Sequence, residues 1–450
     1  MDYQDKQIVI VGAGSTGRSL ARFFLERGAQ VVLSDCRLAE CFDDLSQLNS
    51  LGVRLDLGGH TQALFEVADL VAVSPGVPLD IPVLSVCRDR DIAILGEVEI
   101  AWHELSGTMI AITGTNGKST VTSLVGEMLK AWDQKVFIGG NLGVPLIEAV
   151  GKDYDWHVVE LSSFQLETID AFRPNYAMLL NISEDHLDRY PDMASYIAAK
   201  QRIFENQKED DVAILNHDDP MVQSCTTEIV SRKVYFSSRS ALDEGMSLVD
   251  DRIIWRCNGQ ETLFPVAELQ IRGRHNQENV MAALMPLLLA GCPAEIAWGA
   301  AIKFTGLKHR MEYLGNLNGA DWYNDSKGTN IGACVAALEG LDTADGSLTV
   351  LIAGGDCKGA DFSELAPALS TYVRTLVLIG RDAPGIARAV GGSVETVMAN
   401  DLVDAVRQCR VHARPGDRVL LSPACASFDM FRNYLDRGEQ FMQAVRSLQS

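Results

Sequence analysis

In each third of this chain a short apolar run stops at glycine: residues 7–11 at Gly12, 109–113 at Gly114 and 348–353 at Gly354. The first two lead straight into helical periodicity, with Leu20, Phe23 and Phe24 on one face, then Val121, Leu124, Val125, Met128 and Leu129 on another. A strand, a tight turn and a helix, repeated, return the chain to a parallel neighbour, so the pattern predicts open parallel sheets covered by helices. Further strands are expected at residues 31–33, 70–73, 157–161, 178–180, 376–379 and 418–421. A chain of 450 residues exceeds one ordinary domain. The reading is α/β with three domains: Rossmann-like over 1–96, a central phosphate-loop domain of the ATPase type over 97–306, and Rossmann-like over 307–450. Residues 220–265 loosen into short β-like pieces with no chemistry attached, and no short-period repeat occurs.

Charge narrows the partners. The formal net charge is −21, which repels nucleic-acid phosphates and anionic lipid. Anionic ligands would therefore need a locally positive site. The amino-terminal run MDYQDKQIVIVGAG lacks a basic leader, and the longest apolar stretch, residues 281–290, is too short for a span of about 20 residues. No membrane insertion is expected, and the cytoplasm is the expected compartment. The ten cysteines show no CxxC or metal-type spacing and read as reduced core thiols.

Gly12-Ala13-Gly14-Ser15-Thr16-Gly17 opens a helix, and Asp35 closes the next strand. Glycines let backbone approach phosphate, and the helix start supplies N–H donors. NAD, another diphosphate-bearing nucleotide, and a turn with no ligand all remain open for it. The stronger motif is Gly114-Thr115-Asn116-Gly117-Lys118-Ser119-Thr120. Its N–H groups can wrap a triphosphate, Lys118 can neutralise phosphate oxygens, and a hydroxyl can ligate Mg²⁺. Only two residues separate its glycines, where the usual loop has four, so a glycine turn with an incidental lysine is the plain alternative.

Glu160 ends one strand, and His186 follows another within Asn181-Ile182-Ser183-Glu184-Asp185-His186-Leu187-Asp188. Residues just past the carboxyl ends of parallel strands face the ligand crevice, so both are placed to hold Mg²⁺. A histidine ligand also admits Mn²⁺. Glu184, Asp185 and Asp188 read as solvated loop charges, and Lys200, in a helical run, reads by itself as a surface lysine. In the third unit, His309-Arg310, Asp325 to Asn330, Asp356-Cys357-Lys358 and residues 422–429 gather cations and hydroxyls in glycine-rich connections. They supply the positive field that the acidic chain otherwise lacks.

These segments, taken in order with Glu160 to Glu167 and 181–190, resemble the Mur ligase family over essentially the whole chain. The resemblance implies an ATP-dependent ligase that joins a carboxylate to an amine through an acyl-phosphate, in peptidoglycan precursor synthesis. Its substrates would be UDP-N-acetylmuramoyl-L-alanine, D-glutamate and ATP, and the protein a monomer. By the same resemblance the first domain binds UDP through Thr16, Asp35 and Arg37, with Gly76 close by. Ser15 stands where relatives often carry an apolar residue. Gly114 to Thr120 would hold ATP, with Lys118 on the phosphates, Arg310 on the triphosphate, and Asn276 and Asp325 on the adenosine. Ser119 and Glu160 would take one Mg²⁺ and His186 a second, with Lys200 carbamylated by CO₂ into an anionic ligand. Asn141 would lie near the muramoyl substrate and the reacting phosphate. Thr329, Lys358, Ser427 and the Phe428 backbone would hold D-glutamate, with Lys327 nearby. The rival readings are a sister ligase for another amino acid, an NAD-dependent dehydrogenase, and a nucleotide-sensing module without chemistry.

Overall fold

The computed structural model describes residues 1–42, 45–185, 189–271, 273–341, 346–357 and 360–448. Among these, three separate sheets follow one another along the chain. The first holds β1 (Gln7–Val11), β2 (Gln30–Asp35), β3 (Arg54–Leu57), β4 (Leu70–Val73) and β5 (Ala93–Gly96), in the order β3-β2-β1-β4-β5. All its pairings are parallel. The chain reverses its direction of travel between β1 and β4, and in such sheets the crevice beyond those two strand ends receives ligands. Gly12 and Ser74 face each other there: a Cβ on Gly12, whose φ is 101°, would lie 2.9 Å from the Ser74 side chain.

The second sheet is β6 (Thr108–Thr113), β7 (Val136–Gly140), β8 (Trp156–Glu160), β9 (Tyr176–Leu179), β10 (Val212–Asn216), β11 (Arg232–Ser237), β12 (Gly245–Val249), β13 (Arg252–Cys257) and β14 (Gln260–Pro265). Its order is β14-β13-β12-β11-β10-β9-β6-β8-β7. Strand β6 lies inside a parallel region and is buried along residues 109–113, as a strand covered on both faces must be. Register puts Ile112 beside Glu160, and Thr113 beside Leu179, so the ends of β8 and β9 flank the loop that follows β6. The helix Lys118–Ala131 buries Val121, Leu124, Val125, Met128 and Leu129 completely. Each such side chain contributes about 2 kcal/mol, and cutting Leu124 to alanine would cost roughly 2–5 kcal/mol. The loose stretch at 220–265 resolves into the short helix Pro220–Ser224 and β11 to β14, the last three joined antiparallel at β12–β13 and β13–β14. Hairpin strands need no crossover helices, which is why helical periodicity fades there.

The third sheet is β15 (Glu312–Leu317), β16 (Ala320–Asn324), β17 (Thr349–Gly354), β18 (Val373–Ile379), β19 (Glu395–Met398) and β20 (Arg418–Leu421), ordered β15-β16-β20-β17-β18-β19. Only the β15–β16 pair is antiparallel. At the seam between the first two units, the helix Glu97–Trp102 that follows β5 is held into the second unit by buried carboxylates. Glu99 accepts the N–H groups of Asp170, Ala171 and Phe172, and Glu97 accepts that of Ile147 at 2.6 Å. Arg189 spans the same seam, donating to the Val77 carbonyl at 3.1 Å and pairing with Glu167 at 3.0 Å. No helix among the described residues is long and apolar enough to cross a membrane. All ten cysteines are free, but Cys36 and Cys41 are exposed, so the expectation of core thiols fails for those two.

Candidate active site

The loop after β6 is shaped by glycine. Gly117 sits at φ 84°, and a Cβ on it would come within 2.3 Å of Asn279 Oδ1. Gly114 sits at φ 149° against Leu180 and Asn181, where a Cβ would be 3.1–3.3 Å from their atoms. Residues just past β9 clasp this loop from the side. Asn181 Oδ1 accepts from the Asn116 N–H at 2.8 Å, Asn181 Nδ2 donates to the Asn116 carbonyl at 3.0 Å, and the Ser183 N–H donates to Thr115 Oγ1 at 3.0 Å. The helix from Lys118 then begins with its N–H groups directed at the loop.

Two ammonium groups converge on one carbonyl. Lys118 Nζ donates to the Gly114 and Thr115 carbonyls at 2.9 and 2.7 Å, and Lys200 Nζ donates to the Gly114 carbonyl at 2.8 Å. Lys200 is only 1% exposed and lies 4.6 Å from the Tyr196 ring centroid, so its reading as a surface lysine is wrong. Helical spacing reports which face a residue is on; it does not report that a second element covers that face. Burial, and then the neighbouring Lys118 charge, push the Lys200 ammonium well below its ordinary value. Burial also lowers Lys118.

Beside this pair, Ser119 Oγ donates to Glu160 Oε2 at 2.6 Å, Asn141 Nδ2 donates to Glu160 Oε1 at 2.7 Å, and Arg310 Nη2 donates to Ser119 Oγ at 2.6 Å. Arg310 comes from the third unit, so that unit closes directly onto the phosphate-type loop. Asn330 makes the same crossing to Asn116 and, at 3.1 Å, to Asp185 Oδ2. Lys327 is brought here as well: burial, helped by Arg310 and Lys118, pushes its ammonium down to about 8. Asp325 accepts from Ser422 Oγ at 2.8 Å, and burial pushes its carboxyl up to about 7. Four cationic side chains thus face Glu160, Asp185 and a carboxyl that readily stays protonated. A multiply charged anion suits such a place.

A cavity of about 680 Å³ opens from this cluster between the second and third units, lined by Asn116, Thr120, Asn276, Asn279, Asp325 and Lys327 among others. That volume suits a nucleotide-sized ligand. A smaller cavity of about 270 Å³ adjoins it, lined by Asp185, Thr329, Asn330, Asp356 and Cys357. In the first unit, Asp35 accepts from the Ala13 N–H at 2.8 Å and from Arg37 Nε and Nη2 at 3.0 and 2.8 Å. Burial alone would raise this carboxyl, but Arg37 and the N–H donors hold it at about 2. Arg37, 53% exposed, is held as a fixed cation between Asp35 and the Phe42 ring, and Ser15, Thr16 and Gly76 are also accessible.

Lys327 lines the larger cavity with Arg310, and Thr329, two residues on, lines the adjoining smaller one. Ser427 is 2% exposed and Phe428 70% exposed. His186 and Lys358, like Asp188, lie outside the described residues. Glu184 is exposed as a solvated loop charge should be, but Asp185 is engaged by Asn330. Asn181, Tyr196 and Asn279 went unnoticed as site residues. Asn279 carried a signal, standing one helical turn from Asn276 on the same face. Among the described residues no cluster of three His, Cys, Asp or Glu side chains could hold a metal ion. Hard oxygen donors are nonetheless present in Ser119 and Glu160, and a phosphate-bound Mg²⁺ draws most of its ligands from phosphate and water.

Three parallel-rich sheets covered by helices, with a phosphate-type loop at the middle one and a third unit that brings Arg310 and Lys327 onto it, define a class. Family models match in that order: "Mur ligase MurD-like, N-terminal domain" over residues 6–96, "Mur ligase middle domain" over 112–287, and "Mur ligase, glutamate ligase domain" over 309–425. The chain belongs to the Mur ligase family. Within it, the similarity is to proteins named UDP-N-acetylmuramoylalanine–D-glutamate ligase. The one from Syntrophotalea carbinolica is 51% identical over 449 residues, covering 100% of this chain and 99% of the relative. That from Geotalea daltonii is 46% identical, covering 100% and 99%. Among solved structures, a pseudomurein peptide ligase type C from Methanothermus fervidus aligns with TM-score 0.63 at 19% identity, covering 99% of this chain and all of that one. The UDP-N-acetylmuramate–alanine ligase of Thermotoga maritima aligns with TM-score 0.59 at 18% identity, covering 98% and 100%. At those identities the structures speak for the fold alone.

Proposed function

We propose that this chain is the ATP-dependent ligase that adds D-glutamate to UDP-N-acetylmuramoyl-L-alanine through an acyl-phosphate, in peptidoglycan precursor synthesis. The observation that carries the reading is the convergence of Lys118, the Ser119–Glu160 pair and Arg310, from two units, at the mouth of a nucleotide-sized cavity. Family membership displaces the dehydrogenase and sensing-module alternatives.

A carboxylate resists attack by an amine because its charge opposes the nucleophile. Phosphorylation converts it to a mixed anhydride with phosphate as leaving group. In this chain the loop N–H groups and Lys118 would hold the ATP phosphates, with Arg310 closing over them from the third unit. Since phosphoryl transfer depends mostly on positioning and charge neutralisation, those groups suffice for much of the step. Asn276 and Asp325 would take the adenosine, and Thr120 the phosphate side of the cavity. Asn141, hydrogen-bonded to Glu160, would stand between the metal site and the muramoyl carboxylate. Ser15, Thr16, Asp35, Arg37 and Gly76 would receive the uracil nucleotide. Thr329, Lys358, Ser427 and the Phe428 backbone would hold D-glutamate, with Lys327 between it and the phosphates. The proton leaving the D-glutamate ammonium goes to His186 or to a phosphate oxygen.

Ser119 and Glu160 would hold one Mg²⁺, which supplies charge neutralisation to the phosphates when bound. His186 and a carbamate on Lys200 would hold a second ion, for which Mn²⁺ is also suited. Support for the carbamate comes from the burial of Lys200 beside a second ammonium, an arrangement that favours exchanging a cation for an anion. Boundaries at 96/97 and 306/307 belong to the same proposal, supported by the gaps between successive sheets. So do a monomeric state and a cytoplasmic site of action, where ATP and UDP-sugars are made. The test is phosphate release with ATP, Mg²⁺ and UDP-N-acetylmuramoyl-L-alanine, comparing D-glutamate with L-glutamate, L-alanine and diaminopimelate. Release stimulated by D-glutamate alone supports the reading, and stimulation by another amino acid turns it to a sister ligase.

A further inference from the structure

Two cysteines that the proposed reaction does not use face each other in the third unit. Asp356 and Ala426 form an isolated antiparallel bridge, exchanging N–H···O bonds in both directions at 3.0 and 2.9 Å. In antiparallel register the next residues, Cys357 and Cys425, are directly opposite as a non-hydrogen-bonded pair. Such pairs hold Cα atoms about 4.5 Å apart, inside the window of roughly 4.4–6.8 Å that a disulfide spans. The side chains agree with the backbone: the two Sγ atoms are 3.0 Å apart. An approach of about 1 Å would bring them to bonding distance.

Their surroundings differ in a useful way. Cys357 is half-buried and lines the smaller cavity with Thr329 and Asp185, whereas Cys425 is buried. The contact with Cys357, and then burial, hold Cys425 firmly as a thiol. Its neighbours fix that loop, with the Cys425 carbonyl accepting from the fully buried Arg437 at 3.2 Å. The Cys357 N–H is likewise pinned by Asp382 Oδ2 at 2.8 Å.

We propose that Cys357 and Cys425 form a dithiol modification site, oxidised by hydroperoxides to a disulfide that disables amino-acid use at the adjoining cavity. The thiolate of Cys357, the sulfur open to the cavity, attacks the peroxide oxygen; the O–O bond breaks and hydroxide or alkoxide leaves, giving a sulfenic acid. The Cys425 sulfur then attacks the Cys357 sulfur. The S–S bond forms, the S–O bond breaks, and the departing hydroxide takes the Cys425 proton as water. Two thiols and one hydrogen peroxide thus give a disulfide and two waters. The bond draws the Cys357 sulfur away from the cavity wall and locks its loop to the loop that carries Ser427. The kinetic consequence rests on the proposed D-glutamate reading, whereas the cross-link does not.

The full-length reduced protein is treated with a few equivalents of hydrogen peroxide, quenched with N-ethylmaleimide, and mapped by peptide mass. Activity is measured on the same samples. Expected is a Cys357–Cys425 linked peptide, a fall of at least tenfold in kcat/KM for D-glutamate with the ATP KM changed less than twofold, and recovery with dithiothreitol. Cys357→Ser and Cys425→Ser, each compared with its own untreated activity, should lose that response. Exposed Cys36 and Cys41 serve as internal controls. Oxidation of those two without the linked peptide overturns the proposal, as does a linked peptide with unchanged D-glutamate kinetics. Untreated protein that shows no D-glutamate-dependent phosphate release would instead refute the functional reading and leave the cross-link to be judged by mass alone.

Discussion

Replacing Arg310 by alanine isolates what the third unit adds to the phosphate loop. Its guanidinium is half-buried, and Nη2 lies 2.6 Å from Ser119 Oγ, whose hydrogen is given to Glu160. Loss of a hydrogen bond of that kind costs about 1–2 kcal/mol. The larger effect is charge: at an effective dielectric of about 20, a unit cation about 4 Å from phosphate contributes roughly 4 kcal/mol. Only the part that grows in the transition state accelerates the reaction. We therefore expect kcat to fall about 100- to 1000-fold, equivalent to roughly 3–4 kcal/mol, while the ATP KM rises less than tenfold. Arg310→Lys should fall between, because it keeps the charge and loses the planar fork. A coupled phosphate-release assay at saturating substrates measures all three enzymes, with circular dichroism to check folding. If Arg310→Ala stays within about threefold of wild type in kcat, the catalytic placement of this residue is refuted.

Lys200→Ala should abolish most turnover, and small carboxylic acids that mimic a carbamate should restore part of it; wild-type activity without rescue would return Lys200 to a packing role. Lys358→Ala should raise the D-glutamate KM far more than the ATP KM, and unchanged D-glutamate kinetics would remove it from that role. Glu97 gives a stability test independent of chemistry. Burial raises its carboxyl from 4.5 to about 7 although Ile147 N–H opposes the shift, and Oε2 has no partner among the described residues. The native state holds the proton more tightly, so this group's contribution is complete below pH 4.5 and lost as pH rises to about 7, on the order of 3 kcal/mol. Urea unfolding at pH 5 and 7.5 should show that loss shrinking in Glu97→Gln, and identical pH slopes for both proteins would contradict it.

How much of this was legible beforehand depended on the range of the interaction. The phosphate-type loop was readable because its causes are local: an apolar strand, glycines at φ 149° and 84°, and a helix with one apolar face. Glu160 was readable from position, since the end of a buried parallel strand must meet the crevice. Contacts between units were another matter. The clasp of Asn181 on Asn116, the reach of Lys200 to the Gly114 carbonyl, and the arrival of Arg310 at Ser119 join chain segments 65 or more positions apart. No periodicity encodes those distances. The antiparallel edge of the second sheet was partly legible: Asn258-Gly259, at φ 52° and 73°, is a two-residue hairpin signal joining β13 to β14, whereas β12 and β14 alternate weakly.

The central claim is that the loop carrying Lys118 presents ATP to a carboxylate destined to become an amide. Isotope transfer tests it most directly. UDP-N-acetylmuramoyl-L-alanine labelled with ¹⁸O in its carboxylate is turned over with ATP, Mg²⁺ and D-glutamate, and the released phosphate is weighed by mass spectrometry. One ¹⁸O atom from the carboxylate in each phosphate is the predicted result, since that oxygen bridges the anhydride and leaves with phosphorus. Amide formed with all of the released phosphate unlabelled would contradict the account.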